Sequence, residues 1–253
     1  MIHKIEAACY CSAGEIRKNN EDNFYFGGSI LEEENKGLSQ PLYLQRPMNQ
    51  ANFMAIFDGM GGENYGEKAA YAAANSVHLL LAAQKTFPSN EYETLNKMCV
   101  KLNEAVVEKK QELCTEHMGA TMVALCFAHK YINICNLGDS RAYRLRKKEL
   151  VQLSVDHVGM SAGETKRKAP LTQYLGIDPE EVSIEPYIVR EKWKSGDQYL
   201  LCSDGLTDML TDSDISELMK SSLSVKECAR KLIDSANEKG GRDNVTAIVC
   251  KIF

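Results

Sequence analysis

The chain has 253 residues, 44% hydrophobic and 26% charged, with a formal net charge of -5. That describes a water-soluble globular protein with a substantial core, and it lacks the basic excess of a nucleic-acid binder. No apolar run reaches bilayer-spanning length, and the start MIHKIEAACYCSAGE has no long apolar signal core, so the expected location is cytoplasmic with no membrane association.

In chain order, strands are expected over residues 5–13, 22–28, 41–45 and 52–57. Helices follow over 67–85 and 92–113, the second with apolar Leu95, Met98, Val100, Leu102 and Val106. Strands resume at 121–128, 131–137, 141–146 and 149–154, with a turn at Lys147 and Lys148. The polar stretch 156–179, with Gly159, Gly163, Pro170 and Gly176, reads as a mobile surface excursion that also carries the basic triplet Lys166, Arg167 and Lys168. Strands at 182–190 and 198–203, helices at 212–220 and 225–238, and a last strand at 244–253 complete the chain. This order has no strict β-α alternation, which disfavours a doubly wound parallel sheet. Mostly antiparallel sheets packed together, with helices outside, fit it better. With no fixed repeat and no low-complexity linker, residues 1–253 are expected to form one domain.

The nine cysteines form no C-x-x-C pair, and Cys126, Cys135, Cys202 and Cys250 lie in apolar runs, so reduced buried thiols are expected.

The stretch AIFDGMGGENYGEK, residues 55–68, ends an apolar run in Asp58 and then crowds Gly59, Gly61 and Gly62 around Met60. Two phosphate-cradle templates fail by one residue. G-x-G-x-x-G read from Gly59 meets Asn64 in place of its third glycine, and the P-loop pattern read from Gly61 meets Glu67 in place of its lysine. Glu63, Glu67 and Asp58 make the turn acidic, which leaves two readings: Asp58 as a metal ligand, or a strand-to-helix turn with a capping acid. Asp58 has company at other strand ends. Asp139 follows YINICNL, Asp204 follows YLLCS with Asp208 four residues on, Asp243 precedes the final strand, and Glu21 and Asp22 open an early one. Carboxylates gathered at one sheet edge repel each other and need cations. Oxygen donors without histidine or cysteine suit Mg²⁺ or Mn²⁺.

R-x-x-N-E-D at 17–22, D-G-M-G-G at 58–62, M-G-A-T at 118–121, G-D-S-R at 138–141, S-D-G at 203–205 and R-D-N at 242–244 occur in one order. Together they resemble the metal-dependent protein phosphatases of type 2C, the PPM family, in its compact prokaryotic form, across residues 5–252. The resemblance implies an α+β, four-layer αββα sandwich of two mostly antiparallel sheets flanked by helices. It implies hydrolysis of phosphoserine and phosphothreonine in proteins by a metal-bridging hydroxide at a binuclear manganese or magnesium centre. Asp58 would bridge the two ions, the Gly59 carbonyl would be a further ligand, and Asp204 and Asp243 would hold the first ion. Glu21 would serve the second, and Asp22 would orient metal-bound water. Arg17 would grip the substrate phosphate, Asp139 and Asp208 would hold a third, weaker ion, and Asn244 would support Asp243 by hydrogen bonding. Met60 stands where many eukaryotic relatives have histidine, and His157 is expected to be structural. A flap-like excursion over about 156–179 and the segment 31–52 would be this chain's own means of substrate selection. The partners implied are phosphoproteins modified by a serine/threonine kinase, met by a monomer. The alternative is a pseudophosphatase, a binding module on the same fold that recognises phosphoproteins or a regulatory partner.

Overall fold

The computed structural model describes residues 3–48, 52–61, 65–83, 91–128, 130–160, 169–221 and 223–253. Gly62, Glu63, Asn64 and the basic triplet at 166–168 lie outside the described residues. In chain order the elements are β1 (Lys4–Ser12), β2 (Asp22–Phe26), β3 (Leu42–Pro47), β4 (Asn52–Met60), α1 (Gly66–Ala83), α2 (Glu91–Glu112), β5 (Gly119–Ala120), β6 (Met122–Ala128), β7 (Tyr131–Leu137), β8 (Arg141–Arg146) and β9 (Glu149–Gln152). Then come β10 (Tyr187–Lys192), β11 (Gln198–Cys202), α3 (Asp204–Thr207), α4 (Asp212–Lys220), α5 (Val225–Glu238) and β12 (Val245–Ile252).

Among the described residues the strands form two sheets, ordered β3-β1-β12-β11-β8-β9 and β10-β7-β6-β4-β2, with short β5 beside β4. Each ladder is antiparallel. Period-two alternation sends each strand's side chains to two different layers. From β4, Met54 and Ile56 enter the core between the sheets, while Phe53, Ala55 and Phe57 turn outward to α1 and α2. From β12, Ile248, Cys250 and Ile252 face inward, while Val245, Ala247 and Val249 meet the helices of the opposite flank. Both faces of the central strands are thus buried, which is why they read as continuous apolar runs. The result is the α+β sandwich of two antiparallel sheets between helical layers.

Small side chains let α1 lie close to its sheet: Ala69, Ala70, Ala73, Ala74 and Val77 are buried there. On α2 the buried ladder is Leu95, Cys99, Leu102 and Val106, whereas Val100, expected with them, is exposed because it falls outside the i, i+3, i+4 stripe. Capping boxes start the last two long helices, Thr211 with Asp214 for α4 and Ser224 with Glu227 for α5. Positive φ at Lys147 and Lys148 makes the expected tight turn between β8 and β9.

Two expectations need correction. The strand expected at 182–190 begins only at Tyr187. Residues 178–182 are closed into a turn by the Val182 N–H donating to the Asp178 carbonyl, and Pro186 has no N–H to give a ladder. The surface excursion is also anchored at both described ends. The Gly159 N–H donates to the Pro170 carbonyl and the Thr172 N–H to the His157 carbonyl, while Leu175 exchanges both backbone hydrogen bonds with Ala120. Leu175 and Ile177 are buried, and the Asn103 side chain holds the Gly176 N–H and the Ile177 carbonyl. These pairings are long-range, so the weak local periodicity of 169–179 could not show them.

All nine cysteines are free thiols, and all but Cys114 are buried, as expected. Among the described residues no helix is long and apolar enough to cross a membrane.

Candidate active site

Ladder register brings the acids to one end of the sandwich. In one sheet Asp22 stands directly opposite Asp58. In the other, Cys202 opposes both Arg141 and Ala247, which sets the starts of α3, β8 and β12 side by side. Asp204, Asp139 and Asp243 therefore emerge together.

Hydroxyls and one amide fix the carboxylates from behind. Oδ2 of Asp22 accepts from Ser203 Oγ at 2.7 Å and from Thr246 Oγ1 at 2.6 Å, so a residue of one sheet is held by two of the other. Thr121 Oγ1 accepts from the Asp58 N–H at 3.2 Å and lies 2.7 Å from Ser140 Oγ, tying β4 to the Asp139 turn. The Asn244 side chain donates to the carbonyls of Ala13 and Asn19 and accepts the Glu21 N–H, while its backbone N–H donates to Asp243 Oδ1. The expected support of Asp243 by Asn244 thus comes from the main chain, and the side chain fastens the turn that carries Arg17. His157 Nδ1 accepts the Gly138 N–H at the Asp139 turn, and Arg141 forks onto Asp156 close by.

Glycine at 59 is a packing requirement. A Cβ there would lie 2.0 Å from the Gly66 carbonyl oxygen and 2.7 Å from that of Glu21. Gly205 is equally constrained, since a Cβ would lie 2.0 Å from the Asn244 carbonyl oxygen. Through these two contacts α1 and α3 start hard against the strands that bear the acids.

The shared field is severe. Burial lifts the Asp58 carboxyl well above the usual carboxylate range, and the charges of Asp204, Asp22, Asp139 and Asp243 lift it further. Asp22 is pushed up to about 7, mainly by burial, against the pull of its bonds from Thr246 and Ser203. Burial also raises Glu21, which Arg17 opposes. Arg17 donates to Asp243 Oδ2 at 2.8 Å, with the two side chains 49% and 32% exposed. One guanidinium does not balance this set of acids.

The donor chemistry suits hard divalent cations. The ligand atoms on offer are carboxylate and carbonyl oxygens, and buried Asp22 Oδ1 has no hydrogen-bond partner. Among the described residues no three His, Cys, Asp or Glu groups close into a shell around one ion. The acids share a field more than a closed cage, an arrangement matched to ions that keep several of their own waters. In protein freed of divalent cations, the raised Asp22 pKa predicts stability that is fully present below about pH 4 and lost as pH rises toward about 7, because the folded state keeps a proton that the unfolded chain releases. Urea unfolding in EDTA across this window checks it. Asp22→Asn is expected to flatten the slope, and an unchanged slope would refute the assignment.

The family model for protein phosphatase 2C matches residues 41–248. The chain belongs to the protein phosphatase 2C family. It is 33% identical over 254 residues to the serine/threonine phosphatase stp of Listeria innocua, covering 93% of this chain and 91% of that one. Its fold is similar to the catalytic domain of the serine/threonine protein phosphatase PstP solved with two manganese ions, at TM-score 0.78 and 28% identity over 99% of both chains. It is also similar to PppA of Pseudomonas aeruginosa, at TM-score 0.79 and 25% identity over 98% of both.

In this protein phosphatase 2C chain, Asp22, Asp58, Asp139, Asp204 and Asp243 interact through one electrostatic field, and Glu21 borders it. Gly59 follows Asp58, and its N–H donates to the Glu21 carbonyl. Asp208 caps α3 one turn beyond Asp204, to whose carbonyl its N–H donates, and it faces solvent. Sequence reasoning missed the uncharged supports Ser203, Thr246, Thr121 and Ser140. Three of them sit inside the quoted motifs, beside an acid or closing the M-G-A-T run, and that adjacency was the available signal. Thr246 had none, because its contact with Asp22 exists only across the two sheets.

Proposed function

We propose that this chain is a protein-serine/threonine phosphatase that hydrolyses phosphoserine and phosphothreonine with two divalent cations, manganese or magnesium. The observation that carries the reading is Asp58, half-buried in the field of four other carboxylates, with Arg17 paired to one of them. The named relatives, one of them solved with two manganese ions, support it.

In this reading Asp58 would serve both cations, with the Gly59 carbonyl as a further ligand. Asp204 and Asp243 would hold the first, Glu21 would serve the second with Asp22 orienting water beside it, and Asp139 with Asp208 would hold a third, weaker one. Bound there, the cations would supply Lewis-acid polarisation of the phosphoryl oxygens and lower the pKa of an attacking water. The chain's own residues supply position. Ser203 and Thr246 hold Asp22 by Oδ2 and leave Oδ1 without a hydrogen-bond partner, Asn244 holds the Arg17 turn, and Arg17 would exchange Asp243 for substrate phosphate, to which its planar fork is matched. No histidine replaces Met60 in the D-G-M-G-G run, so the leaving alkoxide takes its proton from solvent within the site. Residues 1–253 work as one catalytic unit, a cytoplasmic monomer acting on phosphoproteins made by a serine/threonine kinase.

The test is hydrolysis of a phosphothreonine peptide and of p-nitrophenyl phosphate by the purified chain, in Mn²⁺ and in EDTA. Turnover in Mn²⁺ alone is expected. No turnover of either compound in any divalent cation would overturn the reading in favour of a binding module. Arg17→Ala is expected to raise KM for the peptide about tenfold or more while changing stability by less than about 1 kcal/mol, since its ion pair is largely solvated. Steady-state kinetics beside a thermal melt checks both, and an unchanged KM would remove Arg17 from phosphate binding.

A further inference from the structure

We propose that a cavity beside the carboxylate cluster selects the substrate by taking an aliphatic side chain one or two residues from the phosphorylated one; this rests on the phosphatase reading above. The cavity has a volume of about 260 Å³ and is walled by Met60, Met118, Leu171 and Tyr174, with Gly61 and Gly119 among its lining and Glu116 and His117 beside them.

Its position follows from β4. Met60 lies two residues beyond Asp58 on the same extended strand, a separation of roughly 7 Å at the rise of a strand. An extended peptide whose phosphorylated residue sits at the carboxylates covers that distance in one or two residues. The side chain next to the phosphate therefore meets the cavity without any rearrangement of the chain.

Its size suits one side chain. About 260 Å³ is below the roughly 300–1,000 Å³ of pockets for drug-sized ligands and cofactors. The space is made by absent side chains. A Cβ on Gly119 would lie 2.7 Å from the Tyr174 ring and 2.9 Å from Met60 Cε, so glycine there lets the thioether and the ring meet across the floor. A Cβ on Gly61 would lie 2.9 Å from the His117 carbonyl oxygen.

The lining sets the chemistry. Two thioethers, a leucine and a tyrosine ring make an apolar, adaptable wall. Met60, Leu171 and Tyr174 stay partly open to solvent instead of closing into the core. Exposed Glu116 at the edge disfavours an acidic residue in the same place. The backbone behind two of these side chains is paired to neighbouring segments. Tyr174 precedes Leu175, which is locked to Ala120 by two backbone hydrogen bonds, and Leu171 bridges to Val158.

The experiment uses phosphothreonine peptides in an alanine background, with Leu, Ala or Asp placed singly at each position from two before to two after the phosphothreonine. In the parent, kcat/KM is expected to rise about tenfold for Leu over Ala at one of these positions, and to fall for Asp there. Leu171→Ala and, separately, Tyr174→Ala are each expected to reduce that Leu-over-Ala ratio to near one. The ratio is taken within each variant, so a change in overall turnover cancels. A flat profile in a parent that hydrolyses p-nitrophenyl phosphate, or a ratio unmoved in both variants, overturns the inference and leaves the phosphatase reading standing. A parent inert toward p-nitrophenyl phosphate in every divalent cation overturns that reading and this inference with it.

Discussion

Asp58→Asn is expected to abolish the stabilisation that Mn²⁺ gives to the folded chain, and to leave the cation-free protein as stable as the parent or more so. Asp58 is half-buried where desolvation and then Asp204, Asp22, Asp139 and Asp243 all raise its pKa, so its charge is unwelcome until a cation arrives. Removing the charge relieves that cost in the empty site. The amide keeps a similar shape, and the backbone N–H still has Thr121 Oγ1 as its acceptor. The same change removes the central anionic ligand of the proposed site. A single cation at a hundredfold excess over its Kd stabilises a fold by about 2.7 kcal/mol. For a chain of this size that is on the order of 5–11 °C in melting temperature. The parent is expected to show such a shift and the variant to show little of it, with turnover lost in parallel. Thermal melts in EDTA and in Mn²⁺ decide the matter. A full Mn²⁺ shift in the variant would mean that Asp58 holds no cation.

Gly205→Ala is expected to destabilise the fold strongly, although it adds only one methyl group. The new carbon would lie 2.0 Å from the Asn244 carbonyl oxygen and 3.4 Å from the Val245 Cα, both main-chain atoms that cannot rotate away. Either α3 or the start of β12 must shift, and overpacking of this kind costs about 1–3 kcal/mol or more. Because Asp204 opens α3 and Asp243 precedes β12, the shift also moves two proposed ligands of one cation apart. Weaker Mn²⁺ binding by calorimetry should therefore accompany the lower melting temperature. Gly159→Ala is the control. The nearest atom to its added carbon is 3.4 Å away, so a change within about 0.5 kcal/mol is expected. Equal effects at both positions would refute the close-approach argument.

Much of this protein was legible in its amino-acid order because its signals are local. The apolar runs of β4, β6, β7 and β12 are continuous since both faces of those strands are buried, and the alanine-rich α1 announces a helix that lies close to its sheet. The acids stood out for the same local reason, each ending an apolar run or directly preceding one, a costly place for a charge. Element order alone argued against a parallel sheet.

What needed the tertiary structure was everything that depends on register between strands distant in sequence. That Asp22 is held by Ser203 and Thr246 follows from two sheets meeting face to face, and no residue near Asp22 encodes it. Short β5 and the pairing of Leu175 with Ala120 are similarly long-range, too brief for any periodicity to register. Arg17 pairing with Asp243 joins the two ends of the chain, 226 residues apart. Acid identity is a property of the sequence. Acid convergence is decided by pairing across the fold, because only there do carboxylates distant in sequence come close enough to act on one another through a shared field.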